Sequence, residues 1–87
     1  MQREQLITTL QAMAVDTKTP AEMLRYLVFE NEIEQQLEWM KLFSEAFDVT
    51  LGEVTALSAW WHDDSAELND NDINAYISPV VSEYLKS

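Results

Sequence analysis

The side chains of this sequence that could do chemistry are its 16 carboxylates and a single histidine. His62 stands beside Asp63 and Asp64, and an imidazole oriented by a carboxylate can act as a general base. Neighbouring loop residues rarely face each other in that way, and no nearby residue is marked as a nucleophile. With one glycine in the chain there is also no glycine-rich phosphate loop. We therefore expect that the protein is not an enzyme.

A calcium-like pattern begins at residues 70–74, where Asp and Asn supply oxygen atoms at alternate positions. The position of the sharp-turn glycine is Ala75, and the position of the bidentate glutamate is Val81, so the pattern fails. Capping of a helix explains these residues better. Cysteine is absent, which excludes disulfides and thiolate metal sites. We expect neither a metal nor a cofactor.

The most informative property is charge, since the 87 residues carry a net charge of −11. Solubility of a small domain needs a magnitude of only about 2 to 8. Such a surface repels phosphate backbones and anionic lipid and attracts basic proteins. We predict a basic protein partner and no binding to nucleic acid or membrane. The alternative, that the acidity serves solubility alone, stays open.

The cellular location is predicted from features that the sequence lacks. Residues 1–5 are polar rather than signal-like, and no apolar run approaches the roughly 20 residues that span a bilayer. A small domain without disulfides also fits a reducing compartment. We therefore expect a cytoplasmic protein.

The elements that must position these groups are predicted to be helices. Hydrophobic residues make up 47% of the chain, and one Gly with two Pro are too few for a turn-rich β-fold. The pattern predicts one all-α domain over 1–87, a compact bundle of four or five short helices. Helices are expected over about 2–14, from Pro20, over 32–47, over 51–61 and from about Asn71 onwards.

Helix starts have the clearest local signals. Thr19 with Glu22 and Thr50 with Glu53 have the spacing of capping boxes, and Asn69 or Asp70 can cap the last helix. Asn31 gives a weaker start for the third helix. Pro79 is expected to kink or restart the last helix.

The third predicted helix has two distinct faces. At about 100° per residue, one face is apolar and consists of Ile33, Leu37, Met40, Phe43 and Phe47, with Leu42 away from it. The other face is acidic and contains Glu34, Glu38 and Glu45, with Lys41 among them, and it includes Glu30 if the helix reaches back that far. Like charges four residues apart cost a few tenths of a kcal/mol, so a one-sided acidic stripe hints at use.

Trp60 and Trp61 cannot both point into a core, because neighbours on a helix diverge by about 100°. A tryptophan left at the surface among acids would be a good binding anchor, since tryptophan is enriched at interface hot spots. The alternative is that a five-helix bundle buries both. The candidate partner-binding residues are Glu34, Glu38, Glu45, Trp60, Trp61, Asp63, Asp64, Glu67 and Asp70.

Residues 43–57 resemble a helix-turn-helix in the spacing of their apolar residues. Asp48 takes the turn position that usually holds glycine, and aspartate tolerates a left-handed backbone. The would-be recognition helix from Leu51 has no basic residue, and Glu53 would face phosphates. We therefore expect the resemblance to concern packing and not DNA reading.

The whole profile is similar to that of bacterial immunity proteins and antitoxins that neutralise nuclease toxins: short, acidic, cysteine-free and without chemistry of their own. A nuclease binds phosphates and so carries Lys and Arg that an acidic surface can cover. The alternative is a protein–protein adaptor or regulatory subunit of bacterial or phage origin, in which the helix-turn-helix-like fragment serves packing. Genomic context would separate the two.

Overall fold

The computed structural model describes residues 3–63 and 65–86, which form an all-α bundle of five helices without a strand. Helix α1 is Arg3–Val15, and α2 is Pro20–Arg25 with a π-helical continuation over Tyr26–Glu30. Helix α3 is Gln36–Phe47, a 3-10 helix covers Leu51–Ala59, and α4 is Asp70–Lys86. None of the helices in these residues is both long enough and apolar enough to cross a membrane.

Both predicted capping boxes are confirmed. The N–H of Thr19 donates to the Glu22 carboxylate at 3.1 Å, and the N–H of Glu22 donates to the Thr19 hydroxyl at 3.2 Å. Hydrogen bonds from the Thr19 backbone and side chain lower the pKa of Glu22. In the second box, the N–H of Thr50 donates to the Glu53 carboxylate at 3.0 Å. These contacts satisfy N-terminal groups that have no partner inside a helix.

The first box gives a stability prediction. Because Thr19→Ala removes the side-chain acceptor at the start of α2, we expect it to lower the free energy of unfolding by about 1 kcal/mol. Thr8→Ala is the matched control, since Thr8 is exposed in the middle of α1 and caps nothing. Urea denaturation followed by far-UV circular dichroism measures both. Equal midpoints for the two variants would show that the box does not stabilise the fold.

The third helix starts later than predicted. A break at Asn31 is confirmed, but the prediction that this residue starts the next helix is wrong. The Asn31 side chain instead donates to the carbonyl of Tyr26 at 3.2 Å and closes the preceding π turn. Glu32 then takes a left-handed backbone with φ 55°, and α3 begins only at Gln36.

The buried face of α3 also differs from the predicted one. Its core side chains are Trp39, Leu42, Phe43, Ala46 and Phe47, whereas Leu37 is 53% exposed. The shift arises because α3 packs against both α1 and the 3-10 helix. On the α1 side, the amide of Gln11 donates to the carbonyl of Ala46 at 2.9 Å.

The helix-turn-helix-like fragment has the expected turn but an irregular second helix. Asp48 ends α3 in the left-handed conformation, with φ 55°, as predicted. The next element is a 3-10 helix rather than an α-helix, and Val54 inside it has a non-helical backbone. Val54 and Leu57 are buried, as expected.

The last helix begins and continues in ways that local chemistry explains. Asn69 is its cap, since its side-chain oxygen accepts from the N–H of Asp72 at 2.9 Å. Residues 70–74 are therefore the first turns of a helix and not a calcium loop. Pro79 lies within α4 without ending it. Pro79 and Ala75 are exposed, so water can reach the backbone carbonyl whose helical partner the proline removes.

Candidate functional site

The segment between the 3-10 helix and α4 is held by one arginine. The Arg25 guanidinium makes bonds to both carboxylate oxygens of Asp70, at 2.9 and 3.1 Å from Nη2, and donates to the carbonyl of His62 at 3.2 Å. It also lies 5.6 Å from the ring centroid of Trp60. The Trp60 indole N–H in turn donates to Asp70 at 2.9 Å. Together these contacts tie α2, the loop and the start of α4 to one another.

Two predicted partner-binding residues therefore serve the fold. Trp60 is completely buried, so its assignment as a surface anchor is wrong: Gln36 bonds its carbonyl, and the Trp39 ring packs edge-on against it at 5.6 Å. That one of the two adjacent tryptophans is buried is confirmed. Asp70 is already occupied by Arg25 and by the indole, which reduces the charge that it can offer a partner.

The predicted acidic stripe is also divided. Glu38 and Glu45 do lie on α3, but Arg3 of α1 forms an ion pair with both carboxylates, and Lys41 lies 3.8 Å from Glu38. Hydrogen bonding to Glu45 raises the pKa of Arg3. Glu34 lies outside the helix, on the exposed connection that precedes it. The three carboxylates are therefore not one free face.

A series of ring contacts leads from the buried Trp39 to the surface at Phe29. The His62 ring contacts both Phe29, with ring centroids 4.9 Å apart, and Trp61, at 4.6 Å. Trp61 is half-buried and stacks on the fully buried ring of Trp39 at 5.8 Å. Phe29, at the end of the π turn, is 57% exposed. We call Phe29, His62 and Trp61 the aromatic row.

Free carboxylates border the aromatic row in the sequence. Glu30 follows Phe29, and Asp63 follows His62, while Glu32 and Glu34 lie on the connection between the π turn and α3. All four are exposed, and within residues 3–63 and 65–86 none forms an ion pair. We call these four residues the acidic rim.

The acidic loop contributes one ordered carboxylate to the rim. The pKa of Asp63 is lowered by hydrogen bonds from the Ser65 side chain and from its N–H at 3.0 Å. Asp63 thus stays ionised and closes a local turn. Glu67 is exposed further along the loop, and Asp64 lies outside the described residues.

Phe29 and His62 were not recognised as binding candidates from the sequence. Phe29 belongs to a very apolar segment in which Leu24, Leu27 and Val28 are buried, so its residue type alone does not separate it from them. On a helix, Phe29 lies about 100° around the axis from Val28, and this offset is the signal that could distinguish Phe29 from the buried residues before it. The π turn is a further indicator, because such turns are frequent at functional sites.

The surroundings of the His62 side chain are aromatic. Its ring is flanked by two aromatic rings, and its backbone is held by Arg25. No group of three or more His, Asp or Glu side chains in the described part of the chain is placed to hold a metal ion. An exposed aromatic ring with exposed carboxylates close to it in the sequence can contact a cationic surface.

Comparison with known proteins gives no relative: no family model, no curated protein and no solved structure matches this chain. Any proposal on function therefore depends on the geometry of the aromatic row and the acidic rim.

Proposed function

We propose that this chain is an inhibitory binding protein that covers a basic surface of a partner protein. The observation that carries the proposal is the aromatic row, in which Phe29 is exposed and His62 and Trp61 are partly exposed, together with four exposed carboxylates that lie close to it in the sequence and have no ion pair in the described residues. Elsewhere the fold uses its cations on its own acids: Arg3 and Lys41 contact Glu38, and Arg25 contacts Asp70. The acidic rim is therefore excess charge in a chain of net charge −11.

The two parts of the surface have different physical roles. Phe29 and Trp61 offer apolar area that a partner can desolvate, and buried aromatic anchors carry most of the binding energy in typical interfaces. The rim carboxylates attract a cationic partner over a distance and thereby raise the association rate. Trp61 is pre-ordered by its stack on Trp39, so that less side-chain entropy is lost on binding.

In its most specific form, the partner is a nuclease-type toxin, and this chain is the immunity protein or antitoxin that neutralises it. An enzyme that holds nucleic acid must present Lys and Arg to phosphates, and those groups fit an acidic rim. A cover over that surface inhibits by excluding the substrate. This form predicts that the gene of the partner lies immediately beside the gene of this chain.

Reversing rim charges tests the electrostatic part of the proposal. We expect Glu30→Lys/Glu32→Lys to slow association with the partner by about tenfold at low salt and to weaken the salt dependence. The matched control is Glu4→Lys/Asp16→Lys, which reverses two exposed carboxylates of the α1 region and changes net charge equally. The partner is captured from the native host, and its binding is followed by stopped-flow fluorescence at several salt concentrations.

Three results would contradict the proposal. An acidic captured partner would remove the electrostatic basis altogether. Equal slowing by both double variants would show that only net charge matters and that the rim is no docking surface. If neither double variant changed the association rate, the acidity would serve solubility alone.

A further inference from the structure

The aromatic row contains the only histidine of the chain, and that histidine contacts both of the other rings. The centroid of the imidazole lies 4.9 Å from that of Phe29 and 4.6 Å from that of Trp61. A partner that covers Phe29 and Trp61 therefore comes next to the imidazole, which is itself partly exposed. Histidine is the side chain whose ordinary titration lies between about pH 5 and pH 8.

The charged groups near His62 belong to several elements. Lys18, Glu22, Arg25 and Glu30 line one surface cavity with Phe29, which contacts the imidazole. Arg25 of α2 donates to the His62 carbonyl, but its charge is matched by the bidentate contact to Asp70 of α4. Asp63 is adjacent in the loop, and Glu30 follows Phe29 in the π turn. On α3, from which Trp39 supports Trp61, the nearest acid in sequence to Trp39 is Glu38, which Arg3 and Lys41 already contact. In the free protein, therefore, the acids that follow His62 and Phe29 in the sequence have no ion pair in the described residues.

A bound cationic partner changes that balance. Lys and Arg of a partner seated here would neutralise Asp63 and Glu30, and they would add positive charge next to the imidazole. The complex therefore disfavours the protonated ring relative to the free protein, because like charges in a desolvated site repel strongly. By linkage, a state that disfavours a proton loses stability as the pH falls through the titration of that group.

We propose that His62 makes binding by this surface pH-sensitive, so that the complex with a basic partner forms near neutral pH and is released under mild acid. This inference rests on the proposed function. A single side chain would have both effects. The neutral imidazole offers ring area for stacking, whereas the protonated imidazole repels the cations of the partner.

The test uses the whole chain and an oligoarginine peptide as the basic probe. Dissociation constants are measured by isothermal titration calorimetry at about pH 7.5 and about pH 5.5, at constant ionic strength. We expect the affinity of the unmodified chain for the peptide to fall about five- to tenfold between the two pH values. This fall should exceed that of the two variants described next. His62→Gln and His62→Phe cannot be protonated there, and both should bind with little pH dependence. The phenylalanine variant keeps an aromatic ring in the row.

The outcomes separate the two proposals. If the chain binds the peptide at neutral pH but shows the same pH dependence as both variants, the proposed role of His62 in pH sensitivity is contradicted. The proposal that this surface binds a basic partner is not. If the chain and both variants fail to bind at neutral pH, the surface itself is wrong and the switch falls with it. Circular dichroism at both pH values checks that each chain remains folded, so that lost affinity reports on the charge of His62.

Discussion

Replacing Trp60 by alanine is expected to lower the free energy of unfolding by about 3–5 kcal/mol, as for other buried large aromatics. The side chain is completely buried, packs against Trp39 and donates its indole N–H to Asp70. Its loss leaves a cavity in a small core and removes one of the contacts that tie the loop to α4. Since native proteins have a total stability of only about 5–15 kcal/mol, this is a large fraction of the free energy of unfolding.

Two further variants distinguish the loss of apolar volume from the loss of the hydrogen bond and provide an exposed control. Trp60→Phe keeps most of the apolar volume but gives up the hydrogen bond to Asp70, so we expect a smaller loss than for alanine. Tyr76→Ala, on the exposed side of α4, should change stability little, since 61% of Tyr76 is exposed. Urea denaturation gives all three values. A loss below about 1 kcal/mol for Trp60→Ala would show that the Trp60 site is not part of the cooperative core.

Local chemistry made much of the fold predictable. The box of Thr19 and Glu22, the box of Thr50 and Glu53, and the left-handed turn at Asp48 each depend on residues within four positions of one another. Such interactions are visible in a sequence because their geometry does not depend on the rest of the chain. The all-α class follows from the same kind of evidence.

Features set by distant contacts were less predictable. The phase of α3 depends on two neighbours, and the single-helix pattern favoured Leu37 over Leu42 for the core. Arg25 bonds Asp70 across 45 positions of sequence, so nothing local marks either residue as structural. The same reason explains why Trp60 looked like an equal candidate to Trp61, although only Trp60 is held by Asp70 and buried.

The acidic residues of this chain are therefore not equivalent. Glu38, Glu45 and Asp70 form ion pairs between or within elements of the fold. Three of the five basic residues, Arg3, Arg25 and Lys41, contribute to these pairs. The acidic rim receives no such compensation in the described structure. Counting charge in the sequence predicts an acidic surface but cannot say which acids are available, since that depends on where Arg3 and Arg25 reach.

Truncating Phe29 is expected to have the largest effect on binding with little effect on folding. The side chain is 57% exposed and ends the row in which the His62 and Trp61 rings follow. If it is an anchor, Phe29→Ala should weaken the complex with the basic partner by about 2 kcal/mol or more, or about thirtyfold, mainly through faster dissociation. Its stability should change by only about 0.5 kcal/mol, because exposed side chains contribute little to the core.

The matched control is again Tyr76→Ala, an exposed aromatic of similar size on α4 and outside the row. Surface plasmon resonance on the captured partner gives both rate constants, and urea denaturation shows whether each variant is folded. A dissociation rate that rises for Phe29→Ala and not for Tyr76→Ala locates the interface at the aromatic row. The reverse pattern would place the partner on α4, and the acidic rim would then lie away from the contact it was proposed to steer.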